Sequence, residues 1–213
     1  IAEQAVPDFD ESRLNSILQR FIGEQEQVPP MFSALKYQGQ PLYKLARQRI
    51  EIERQSRRIH IYAISLLDFG KDTFTLSVRC SKGTYIRTLV EDISHQLGTG
   101  GHVTMLRRTG VAGYTLHDAV TLELLSTRRE QGELIALDEQ LEAAENALPD
   151  WPAVCLDEKA SKTISYGQSI QVEHDFECAN VRLFDQNKKF MGLGEMSADG
   201  VIKPKRLFVT AVS

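Results

Sequence analysis

Cysteine is scarce in this 213-residue chain: Cys80, Cys155 and Cys178 are odd in number and far apart. That argues against a disulfide framework and for a reducing, cytoplasmic setting. With no C-x-x-C pair and no clustered histidines, no zinc or other metal site is expected. Long apolar runs are missing too, and no signal or lipidation motif is visible, so no membrane association is expected. Nor is there an excess of positive charge: the net charge is −4 and the pI about 5.8, which on its face argues against nucleic acid.

The distribution of charge argues the other way. Between positions 36 and 58 stand seven basic residues, Lys36, Lys44, Arg47, Arg49, Arg54, Arg57 and Arg58, against Glu51 and Glu53. Between 123 and 150 stand eight acidic residues against Arg128 and Arg129. A locally basic surface can bind phosphate on an acidic protein, although a plain solvated face accounts for the same residues. Composition, at 42% hydrophobic and 25% charged, is that of a globular chain of one or two domains.

Periodicity and turn residues divide the chain. Residues 1–9 read as irregular, and Asp10 caps a helix whose stripe is Leu14, Ile17, Leu18, Phe21 and Ile22, stopped by Gly23. Residues 24–30 read as a polar loop closed by Pro29 and Pro30. Pro41 suits the first turn of a short helix carrying Leu42, Leu45, Ala46 and Ile50, with Tyr37 and Tyr43 among the cations. Residues 59–69 and 73–80 read as strands joined at Gly70-Lys71-Asp72. A further strand is expected over 102–108, with Val103 and Met105 on one side and Thr104, Leu106 and Arg108 on the other. Thr121 caps a helix with Leu122, Leu124 and Leu125, and an acidic helical run to Ala147 follows. Residues 149–152 read as a linker. Beyond it lies a small β unit with a turn at 165–168, strands at 181–184, 190–196 and 201–209, and a hairpin turn at Asp199-Gly200. Lys188, Lys189, Lys203, Lys205 and Arg206 give that unit a positive side of its own.

The stretch CSKGTYIRTL at 80–89 organises the rest. A strand alternating Phe74, Leu76, Val78 and Cys80 against polar residues leads into it, and a helix with Ile86, Leu89, Val90, Ile93 and Leu97, stopped by Gly98, leads out. Gly83 is placed to take the unusual backbone angles of so short a join. Arg87 lies roughly 100° round the helix from Ile86, on the border of the apolar face, where a guanidinium can point into a cleft. An ordinary strand-to-helix turn with a snorkelling arginine fits the same pattern.

CSKGTYIRTL, the following GHVTMLRRTG at 101–110, and the earlier VPPMFSALKYQG at 28–39 stand in an order and spacing that resemble the TruB family of tRNA pseudouridine synthases. The resemblance implies an α+β fold: a mixed, largely antiparallel sheet with helices over residues 1–149, and a small PUA-like β domain over 150–213. It implies an RNA-binding thumb at about 31–58, with Lys36, Tyr37, Lys44 and Arg47 in contact. It implies isomerisation of uridine 55 in the tRNA T-loop without a cofactor, by a cytoplasmic enzyme that is a monomer when intact. Arg87 matches the arginine that pairs with the catalytic aspartate, Tyr85 a substrate-binding tyrosine, and Leu106 the apolar wall of the uridine pocket. Arg107 and Arg108 suit phosphate.

The family's aspartate sits in a motif of the type G-x-L-D-P, and no Asp of this chain has that setting. The chain is therefore expected to be the C-terminal portion of a synthase, inactive by itself, with part of its sheet missing. The alternative, from another class, is a non-catalytic RNA-binding protein or tRNA folding helper.

Overall fold

The computed structural model describes residues 5–173 and 179–208. Cys178, residues 1–4 of the irregular start, and the end of the strand expected over 201–209 lie outside them. The chain forms two compact units, Ile1–Leu106 and Arg107–Ser213.

In the first unit the elements are α1 (Glu11–Gln19), β1 (Gly23–Gln27), β2 (Lys36–Tyr37), β3 (Gln40–Pro41), α2 (Leu42–Arg47), β4 (Arg57–Phe69), β5 (Phe74–Cys80) and α3 (Ile86–Leu97). The Asp10 carboxylate caps α1 by accepting from the Arg13 N–H at 2.8 Å. A three-stranded antiparallel sheet runs β1-β4-β5. Its register shifts between Ile61 and Ala63. The bulge passes the buried role from odd to even positions, so Ile59, Ile61 and Ile64 all face one core. There they meet Leu14, Ile17 and Leu18 of α1 and Leu89, Ile93 and Leu97 of α3. Each side chain so buried contributes about 1.5–3 kcal/mol, which fixes α3 on the sheet.

Three local expectations need correction here. Residues 24–27 are not loop. Gly23–Gln27 pairs residue for residue with Arg57–Ile61, because the β4 backbone supplies the ladder that a polar strand cannot signal by hydrophobicity. Ile50 leaves the packed side of α2 and is exposed, because Arg49 at φ +59° ends the helical path before it. Residues 102–108 form no strand: Met105 is 79% and Leu106 62% exposed. Alternation specifies a strand only where a partner ladder receives the backbone, and no sheet of the described residues includes this segment.

The second unit comprises β6 (Gly110–Val111), β7 (Tyr114–Thr115), α4 (Leu122–Glu130), α5 (Leu134–Asp138), a 3₁₀ turn (Ala144–Ala147), β8 (Ala153–Cys155), α6 (Glu158–Ser165), β9 (Ile170–Gln171), β10 (Asn180–Phe184), β11 (Phe190–Met196) and β12 (Val201–Leu207). Thr121 caps α4 through the Leu124 N–H at 3.2 Å, as its position implies. The acidic run is not one helix, because Gly132 at φ +74° breaks it after α4. A five-stranded sheet in the order β8-β10-β11-β12-β9 follows, antiparallel except where β8 lies parallel to β10. It is not purely β: α6 precedes the turn, which falls at Tyr166 and Gly167 within the expected 165–168, and fills a stretch for which no element was expected. Asp157 caps it through the Ala160 N–H at 2.7 Å, and its Ile164 is fully buried with Leu156, Val181, Leu183, Met191, Met196 and Ile202. The stretch 149–152 is tied down rather than free, since Arg182 donates through Nε to the Trp151 carbonyl at 2.8 Å.

Candidate functional site

The join between β5 and α3 is held from several sides. The Ser81 N–H donates to the His60 carbonyl at 2.8 Å, and the Ser81 hydroxyl accepts from the His60 N–H at 2.9 Å. The Thr84 hydroxyl closes the turn on the Ser81 carbonyl at 2.9 Å, and Gly83 takes φ +86°, the left-handed conformation its position called for. Tyr85 is the N-cap of α3 but offers no side-chain cap. Its backbone is held instead by Gln27 at the end of β1. The Gln27 Oε1 accepts from the Tyr85 N–H at 2.8 Å, while Nε2 donates to the Tyr85 carbonyl at 3.2 Å.

Arg87 follows in the first turn of α3. It is exposed, and its Nη2 donates to the Phe32 carbonyl at 2.7 Å. Among the described residues no carboxylate lies within ion-pair distance of it; the ion pairs there are Arg54–Glu51 and Arg58–Glu26, each at 3.6 Å. A guanidinium carries five N–H donors in a fork that suits a carboxylate or phosphate, and one carbonyl occupies little of that capacity. The hydroxyls of Ser33 and Thr88, next in sequence to the two partners of this bond, are buried without a hydrogen-bond partner among the described residues.

The basic segment leads away from Phe32. Gln38 at φ +48° and Gly39 at φ +82° make the two-residue turn of the β2–β3 hairpin, which presents Lys36 and Tyr37 to solvent. On α2, Leu42 and Leu45 are buried, and Lys44 and Arg47 stand exposed. The Arg47 guanidinium lies 5.4 Å from the Tyr43 ring centroid. Exposed cations among aromatic rings can meet phosphates while unpaired bases stack. Arg54 and Arg58 are already partnered by glutamates, so they offer less to such a ligand.

The structure thus gathers Tyr85 with Arg87 on one turn, and Lys36, Tyr37, Lys44 and Arg47 on one hairpin and helix. Leu106 ends the first unit on an exposed segment and joins neither core cluster. Arg107 and Arg108 are exposed at the start of the second unit. Gln27 was not singled out from the sequence. Its signal was the alternation of Gly23, Gln25 and Gln27 with Glu24 and Glu26, which becomes the inward and outward rhythm of β1.

Elsewhere the thiols of Cys80 and Cys155 are free, half-buried and exposed respectively. Among the described residues no group of three or more His, Cys, Asp or Glu side chains could hold a metal ion, and no helix is long and apolar enough to cross a membrane. Burial raises the Asp92 carboxyl on α3 above its ordinary value, partly opposed by His95.

Comparison with known proteins follows the same lines. Residues 1–86 match the family model described as TruB family pseudouridylate synthase (N terminal domain). Residues 87–149 match the tRNA pseudouridylate synthase B C-terminal domain, and residues 152–208 the C-terminal domain of pseudouridine synthase II TruB. The tRNA pseudouridine synthase B of Vibrio parahaemolyticus is 45% identical over 216 residues, covering 98% of this chain and 69% of that protein. Its counterpart in Vibrio vulnificus is 45% identical over 203 residues, covering 92% of this chain and 65% of that protein. A chain in the crystal structure of a Cbf5–Nop10–Gar1 complex superposes with TM-score 0.76 at 21% identity, covering 96% of this chain and 64% of that one. That likeness is one of fold. The chain spans about two thirds of the length of the proteins it matches.

Proposed function

We propose, since this chain belongs to the TruB family of pseudouridine synthases, that it is part of an enzyme converting the T-loop uridine 55 of tRNA to pseudouridine. The observation that carries this reading is Arg87: an exposed guanidinium at the first turn of α3, beside Tyr85, with no carboxylate of the described residues against it.

In this reaction the N1–C1′ bond breaks, the uracil turns, C5 bonds to C1′, a proton leaves C5 and one is gained at N1. The atoms balance without a co-substrate. The target base must first be turned out of its loop, at a cost of a few kcal/mol in stacking and pairing. Lys36, Lys44 and Arg47 offset that cost by meeting T-arm phosphates, and Tyr37 offers a ring for an unpaired base. Arg87 keeps the family's aspartate ionised and aimed. Tyr85 contacts the substrate, Leu106 walls the uridine pocket, and Arg107 and Arg108 hold backbone phosphates. Residues 1–149 belong to the catalytic domain and 150–213 to an appended RNA-binding domain; the separate core beyond residue 152 supports this division, whereas compactness alone groups 107–149 with that core. The enzyme works as a cytoplasmic monomer.

The 213 residues contain no aspartate in a G-x-L-D-P setting, so they bind a T-arm transcript but form no pseudouridine alone. Joined to the part of the Vibrio parahaemolyticus relative that they do not span, they turn over. Carbodiimide mapping of pseudouridine in the transcript tests both statements. Binding without turnover in the completed chain would instead favour a non-catalytic RNA-binding or tRNA-folding protein.

A further inference from the structure

We propose that Gln27 is a positioning residue for the arginine of this site: its side-chain amide fixes the backbone of Tyr85, which opens the helical turn that carries Arg87. This rests on the function proposed above. Gln27 is 4% exposed, so its amide has lost water and needs partners on both atoms. It finds both on one residue, accepting from the Tyr85 N–H and donating to the Tyr85 carbonyl. Two bonds to one residue's backbone fix orientation as well as distance, much as a ladder pair does in a sheet.

Tyr85 is where that matters. It is the N-cap of α3 and has no side-chain cap of its own. Its carbonyl also accepts from the Leu89 N–H at 3.0 Å, so it starts the helix as well. Five residues beyond Gln27, the Phe32 carbonyl takes the Arg87 guanidinium. The segment 27–32 therefore brackets the 85–87 turn at both ends: Gln27 holds its backbone and Phe32 its side chain. Gln27 itself is anchored opposite Arg57 in the β1–β4 ladder, on the face that carries the buried Ile59 and Ile61. Gln27 acts through Arg87 and need not touch RNA.

The test uses Gln27→Leu, which removes both bonds, and Gln27→Glu. A protonated Glu offers an O–H donor and a C=O acceptor in nearly the same places, and burial favours that form. In the completed enzyme, measured well below each variant's Tm, Gln27→Leu lowers kcat on the order of ten- to a hundredfold and leaves KM for the T-arm within about twofold. Gln27→Glu recovers turnover toward acid pH and loses it as the carboxyl ionises, a limb that the parent enzyme lacks. In the 213-residue chain, Gln27→Leu speeds amide exchange at Tyr85 while leaving Ile93 in the middle of α3 unchanged. Unaltered kcat in Gln27→Leu, or exchange that rises equally at Tyr85 and Ile93, overturns the proposal. Should the leucine variant fail to fold, a Gln27→Glu enzyme whose pH profile matches the parent's overturns it alone. An inactive parent enzyme would instead sink the proposed function, and the exchange comparison would still decide whether Gln27 sets the turn.

Discussion

The Arg87 guanidinium donates to the Phe32 carbonyl at 2.7 Å across 55 positions of sequence. This bond ties the first turn of α3 to the loop from which the β2–β3 hairpin and α2 extend. The group proposed to face the catalytic carboxylate and the segment proposed to grip RNA are thus joined through one backbone atom.

If Arg87 orients a carboxylate, its loss should strike turnover rather than affinity. In the completed enzyme, Arg87→Ala is expected to lower kcat on the order of a hundredfold or more, with T-arm Kd changed by less than about threefold. Comparable losses in single-turnover rate and filter-binding affinity would reduce Arg87 to a phosphate contact.

Lys36, Lys44 and Arg47 are exposed and form no ion pair among the described residues. Replacing any one by alanine should weaken T-arm binding and make the slope of log K against log salt shallower by about 0.7–0.9. A control at Lys71, in the turn between β4 and β5, should leave the slope unchanged. Salt titrations of binding by fluorescence anisotropy measure both.

A methyl group on Gly101 would run into the Ser94 side chain on α3, which is 4% exposed. Gly101→Ala is expected to cost about 1–3 kcal/mol by overpacking. Adding Ser94→Gly clears the space, so the double variant should be more stable than the sum of the two single changes. Urea denaturation of all four proteins completes the cycle.

Ile93 and Ile164 are both fully buried, one in each unit. Either isoleucine replaced by alanine should lose about 2–5 kcal/mol. Hydrogen exchange should show the loosening mainly in the unit that carries the change, since each belongs to a separate core cluster.

Two carboxyls should titrate in opposite senses. Hydrogen bonds from the Thr115 hydroxyl and backbone N–H hold Asp118 below the ordinary Asp value, whereas burial lifts Asp92 above it. The stability from Asp118 is present above its unfolded pKa and lost as pH falls through the lower folded one. That from Asp92 runs the other way, fully present below its unfolded pKa and lost as pH rises through the higher folded one. Carbon-13 NMR of the two carboxyls checks the order, and Thr115→Val should return Asp118 toward its ordinary value.

The sequence by itself determined whatever nearest neighbours along the chain decide. The caps at Asp10 and Thr121, the span of α3 with Gly98 beyond it, the turn at Gly70 and the left-handed Gly83 all follow from local backbone preference and apolar spacing. The ordered motifs also pointed to the family. Tertiary structure alone decided where a segment depends on a distant partner. Polar residues 23–27 become a strand because β4 lies beside them, and alternating residues 102–108 do not because no ladder among the described residues receives them. Gln27 meets Tyr85, and Phe32 meets Arg87, only after α3 has packed on the sheet. A hydrogen bond between residues more than fifty positions apart leaves no periodic trace in the sequence, and the candidate site is held together by bonds of that kind.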